Sequence, residues 1–178
     1  MRRRAFLGGV GAATLAATAG CLNTTPRLSV EGATQSVHPA RERWIDGGLE
    51  SDGDATVYAR AVGDEAPKLL GPDATGTVAD RLRNPGGDQF HVVIQHRAPV
   101  DAPVSMRVPP AGPTWSGTDT ETLRVAVERA VFATAPESLA DADAAVTTGV
   151  WTLSPAVERP PQTVDVEFAE TATPTPPE

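Results

Sequence analysis

The strongest constraint on this chain is a series of short segments in which apolar and polar residues alternate with a period of two. Successive side chains of a strand point to opposite faces, so such alternation marks a half-buried β-strand. Residues 89–97 are the clearest case, with Phe90, Val92 and Ile94 on one face. Residues 104–108 repeat it, placing Val104, Met106 and Val108 inward and Ser105 and Arg107 outward, and are expected to form a hairpin with 89–97. Residues 27–31, 55–62, 146–153 (carrying Trp151) and 164–168 (Val164, Val166 and Phe168 against Asp165 and Glu167) read as further strands. Turn signals punctuate them at Asp52-Gly53, Asn84-Pro85-Gly86-Gly87 and Pro109-Pro110. Residues 78–83 have room for one helical turn, and 38–48 read as a loop or short strand. The pattern predicts an all-β domain over residues 27–169: an antiparallel β-sandwich or partly open barrel of about seven or eight strands, with little helix. Alternation with one polar face implies sheets solvated on their outer sides.

One segment is contested. In residues 122–132, Leu123, Ala126, Val127, Ala130 and Val131 suit helical spacing, and residues 118–121 offer a capping box. A helix leaves Val125 and Phe132 on its polar face. A strand puts Leu123, Val125 and Val127 together, and a bulge near Glu128 and Arg129 then turns Ala130 and Phe132 inward. The β-branched valines favour the strand.

Cys21 is the only cysteine, so no intrachain disulfide can staple the domain and its core must hold by packing. Blue-copper, zinc-thiolate and cysteine-nucleophile chemistry behind that residue are excluded on the same ground. The chain carries a net charge of −8. Without Arg2, Arg3 and Arg4, twelve basic residues face twenty-three acidic ones, a balance of −11. Such a surface lacks the basic patch that nucleic acid requires.

Residues 1–21 are of a different kind. Arg2, Arg3 and Arg4 precede a Gly/Ala-rich apolar stretch that ends at Gly20-Cys21. The stretch is short and weakly apolar for a spanning helix, which needs about 20 predominantly apolar residues. Arg3, Arg4, Phe6 and Leu7 resemble the twin-arginine export signal, and Thr18-Ala19-Gly20-Cys21 resembles a lipobox. The resemblance implies a signal peptide over 1–20, lipidation of Cys21, a short tether over 21–26 and a protein held at the outer face of the cell membrane. An acidic chain with Lys68 as its single lysine resembles proteins of extremely halophilic archaea. Asn23-Thr24-Thr25 is a possible glycosylation site at Asn23, and the Thr/Pro-rich residues 170–178 read as a disordered tail.

Candidate chemistry is sparse. His91 and His96, five apart on one strand, point to opposite faces, and with His38 they read as ordinary surface or rim histidines rather than a metal triad. Asp46, Glu50, Asp52 and Asp54 crowd a Gly-rich segment that offers oxygen ligands to calcium, without EF-hand spacing. Residues 71–78 mimic a phosphate loop but lack its lysine and a strand–loop–helix setting, and read as a turn. Trp151 is expected in the core. Trp44 and Trp115 lie in loops, where aromatics cover a sheet edge or contact a protein or glycan partner. No catalytic residue, metal or cofactor is assigned. The expected function is that of a membrane-anchored, extracytoplasmic, non-catalytic binding or envelope-associated domain. The alternatives are a small secreted hydrolase or metal-dependent enzyme, and an accessory subunit of a membrane complex.

Overall fold

A computed structural model describes residues 28–84, 86, 89–116, 121–154 and 159–170. Arg3, Arg4, Phe6 and Leu7, expected as an export signal, Cys21, expected to be lipidated, Asn23 and residues 171–178 lie outside the described residues.

Among the described residues, eight strands form two sheets. The first has the order β1 (Ser29–Pro39), β7 (Ala145–Ser154), β3 (Phe90–Ala98), β2 (Val57–Val62), with every pair antiparallel. The second is built on β6 (Thr122–Val131). The strands β4 (Val104–Arg107) and β5 (Thr114–Trp115) pair with opposite ends of β6, and β8 (Thr163–Glu170) pairs along its length. β4 and β5 thus read as one edge strand interrupted by Pro109, Pro110 and Pro113, whose rings supply no N–H to a ladder. The sheets face each other as a sandwich, not a closed barrel.

Three expectations change. The segment at Val104 is not the hairpin partner of 89–97: it pairs with β6, so the chain between β3 and β4 changes sheets. β6 and β8 run parallel, because β7 intervenes in the other sheet and returns the chain to the end from which β6 started. β6 itself is a strand, as the valines indicate, but its register with β4 and β8 is unbroken. Without a bulge, Ala130 stays exposed and Val131 is 62% exposed.

The sandwich core holds Phe90, Val92 and Ile94 of β3, Leu123, Val125 and Val127 of β6, Trp151 and Leu153 of β7, and Met106. Gly149 belongs to this face for a steric reason: a Cβ there would overlap the Trp151 ring. Fully burying one such side chain contributes about 1.5–3 kcal/mol, so β6 alone, with three valine and leucine side chains at 0–1% exposure, anchors the second sheet.

The outer face of the first sheet is also covered. The helix α1 (Gly76–Arg83) lays Val78, Ala79 and Leu82 against it, together with Trp44, Ile45, Leu69 and Ala74, over Val93 and Val150. Thr77 Oγ1 accepts from Thr34 Oγ1 of β1 at 2.7 Å, and Asn84 Nδ2 closes the helix by donating to the Asp80 carbonyl at 2.9 Å. This third layer overturns the expectation of a solvated outer face for the first sheet, while the second sheet keeps one, with Arg124, Ala126, Asp165 and Glu167 exposed. β3 and β7 are buried on both faces, as strands with helices or loops on one side and a sheet on the other must be. Residues 71–78 are a turn at their start, yet they do run from an isolated bridge, Ile45 to Leu70, into α1. Gly71 is required there because a Cβ would collide with the Arg43 carbonyl.

Candidate functional site

The polar groups worth weighing lie on or beside β3, which carries His91, Gln95, His96 and Arg97. The alternation of β3 sends His96 into the sandwich, while His91, Gln95 and Arg97 face the α1 layer. The separation of His91 from His96 onto opposite faces is as expected. Their exposure is not: His38, His91 and His96 are 2%, 1% and 7% exposed, so none is a surface or rim residue. β3 passes under cover on both faces, and no local pattern in the sequence carries that information.

His38, at the end of β1, lies in a chain of hydrogen bonds on the covered face. Leu49 N–H donates to Gln95 Oε1 at 2.8 Å, and Gln95 Nε2 donates to Thr148 Oγ1 at 3.0 Å. His38 Nε2 meets the same hydroxyl at 2.9 Å, and Nδ1 meets the Pro39 carbonyl at 3.1 Å. A carbonyl only accepts, so Nδ1 carries the proton; neutral Nε2 then accepts from the Thr148 hydroxyl. The imidazole stacks on Trp44 with ring centroids 4.4 Å apart and an interplanar angle of 3°. Trp44 is itself 6% exposed and donates from Nε1 to Glu42 Oε2 at 2.8 Å. It is a core residue, contrary to the loop role expected for it, because 40–50 folds down over the sheet. Burial holds the His38 pKa below its ordinary value, against the opposing pull of the Pro39 carbonyl, Glu42 and Asp73.

His91 Nδ1 lies 3.1 Å from Thr152 Oγ1, and Nε2 is buried without a partner. Burial and then the Arg81 charge lower its pKa. His96 packs edge-on against Phe168 at 5.1 Å, while Arg129 covers the same ring at 4.8 Å and reaches His96 Nε2 at 3.1 Å. Burial and then Arg129 lower the His96 pKa as well. Burial thus disfavours the charged form of all three imidazoles, each in a different setting.

In the acidic segment the backbone, not the carboxylates, meets a cation from the sheet. Arg97 donates to the carbonyls of Gly53 and Glu50, so a guanidinium already draws the 50–54 turn onto the sheet. Among the described residues no group of three His, Cys, Asp or Glu side chains gathers as a metal site would require. Gln95 and Arg97 were not singled out by sequence reasoning. The usable signal was their place, with two histidines, in an otherwise apolar strand. Trp151 is 3% exposed in the core as expected, and Trp115, on β5, packs partly buried against it.

Surface clefts are separate from these groups. One of 120 Å³ lies between β1 and β4 over Met106 and Trp151, and another of 350 Å³ lies between residues 28–30 and 108–112. A third, of 420 Å³, lies between residues 60–65 and 160–162. No histidine lines any of them. Among the described residues no helix is long and apolar enough to cross a membrane.

The fold defines an all-β sandwich with one helical covering layer. Comparison of the chain with protein-family models, curated proteins and solved structures returns no match.

Proposed function

We propose that the chain is a lipid-anchored extracytoplasmic protein whose β-sandwich is a non-catalytic binding or envelope-associated domain. The observation that carries the non-catalytic half is the employment of the histidines. His38 is stacked and hydrogen-bonded, His91 is bonded to Thr152, and His96 is wedged between Phe168 and Arg129. General acid–base chemistry calls for groups that converge on a substrate within hydrogen-bond reach, and these are buried in three separate places. The anchor half rests on the residues of the leader: Arg3, Arg4, Phe6 and Leu7 direct export, and Cys21 receives the lipid. Two acyl or alkyl chains hold a protein stably at a bilayer where one does so only reversibly. Partners on this reading are the membrane and a protein or glycan, with no nucleic acid and no cofactor.

Cell fractionation tests the reading. The Cys21→Ser variant is expected in the soluble fraction with the parent in the membrane pellet. A Cys21→Ser chain that remains with the membrane refutes lipid anchoring.

A further inference from the structure

The first sheet has an edge that is chemically unlike the other edges of the sandwich. β1 pairs only with β7 among the described residues, which leaves one side of its backbone open. Exposed edges are normally blunted by charge, proline or a bulge, because unpaired N–H and C=O groups invite another strand. β8 carries Asp165 and Glu167, β2 carries Arg60, and the β4–β5 edge is broken by three prolines. β1 has a bulge between Val30 and Gly32, and beyond it Gly32-Ala33-Thr34-Gln35-Ser36-Val37 contains no charge and no proline. Ala33 and Gln35 are exposed. They lie at the rim of the 120 Å³ cleft, where Gln35 Oε1 accepts from the Met106 N–H of β4 at 2.9 Å.

We infer that the β1 edge is the surface through which two copies of this chain associate, by antiparallel pairing of β1 with β1 about a two-fold axis. Electrostatic self-compatibility selects a second copy as the occupant. A two-fold contact sets each surface against itself. Antiparallel self-pairing of β8 about Val166 therefore places Asp165 opposite Glu167 of the other copy, and like charges directly opposite are destabilising. The same operation on β1 about Thr34 opposes Gly32 to Ser36 and Ala33 to Gln35, with no charge facing charge. The first sheets of two copies then join as one continuous sheet. Each chain is acidic, at −8 over its full length and −11 without Arg2, Arg3 and Arg4, so long-range repulsion opposes the encounter and salt relieves it. The pairing does not depend on the lipid anchor.

Thiol crosslinking of the full-length chain in its membranes tests this. Antiparallel pairing near Thr34 brings the two Ala33 positions within about 10 Å and holds the two Ser29 positions about 30 Å apart, at about 3.3 Å per residue. A bis-maleimide spanning only the shorter distance should crosslink Ala33→Cys into a dimer, increasingly as salt rises, and should leave Ser29→Cys and Asp165→Cys monomeric. Equal yields at the three positions, or none at Ala33→Cys, overturn the inference. The parent chain is the control. A parent dimer would mean that Cys21 is a free thiol; the anchor reading then fails, and the three positions are compared again in a Cys21→Ser background. Independently, the parent extracted in detergent should sediment as a dimer, and Ala33→Asp as a monomer that still unfolds cooperatively, with a melting temperature that no longer depends on protein concentration. A parent that sediments as a monomer at molar salt overturns the pairing.

Discussion

Replacing Thr148 by valine tests the polar chain under the helical layer. The side chains are nearly isosteric and Thr148 is 0% exposed, so no cavity opens. What disappears is one hydroxyl that accepts from Gln95 Nε2 at 3.0 Å and donates to His38 Nε2 at 2.9 Å. Both partners stay buried, and an unsatisfied buried group costs about 1–3 kcal/mol. Two of them give about 2–6 kcal/mol, a large part of the 5–15 kcal/mol typical of a whole domain. At roughly 2–4 °C per kcal/mol for a domain somewhat above this size, the melting temperature should fall by about 10 °C. Thr148→Ser keeps the hydroxyl and loses only a methyl group, so it should cost about 1 kcal/mol. Denaturant unfolding followed by tryptophan fluorescence measures both, because Trp44 stacks on His38. The Gln95→Leu single and double variants complete a cycle, in which connected residues should couple by about 0.5–3 kcal/mol. A Thr148→Val protein within about 0.5 kcal/mol of the parent, the range of ordinary surface changes, refutes the reasoning.

Three further outcomes are expected. The three histidines have folded pKa values below the ordinary value, so the unfolded chain takes up protons first as pH falls through about 6.5. Their stabilisation is complete above that pH and is lost as pH falls toward the folded values, at up to about 1.4 kcal/mol per pH unit for each; a melting temperature constant from about pH 7.5 to 5 contradicts this. Gly149→Ala forces the Trp151 ring to move and should destabilise by about 1–3 kcal/mol as overpacking does, with partial recovery when Trp151→Leu is added; an unfolding midpoint equal to the parent's argues against the contact. Molar salt shortens the Debye length to about 3 Å, so the acidic chain should unfold more readily after dialysis into low salt, and a salt-independent midpoint removes the halophilic reading.

Alternation by itself determined most of what is regular in this chain. Phe90, Val92 and Ile94, then Leu123, Val125 and Val127, then Val164, Val166 and Phe168 each mark a strand and the side it buries, because a period of two is a property of the extended backbone. The β-sandwich class follows from that, as does the separation of His91 from His96. The leader motifs and the charge balance are likewise properties of the sequence alone. Tertiary structure decided which strands are neighbours: a period of two is the same whether a strand pairs within its hairpin or crosses to the other sheet, so β4 joining β6 and β8 running parallel to it were not legible. It also decided what covers the outer face of the first sheet. The 40–50 segment, Leu69 and α1 close over β3 and β7 through contacts distant in sequence, and that closure turns three polar histidines and Trp44 into buried packing residues. Arg97 claims the carbonyls of the 50–54 turn for the same reason: which cation a loop meets depends on the sheet beneath it, not on the acids within it.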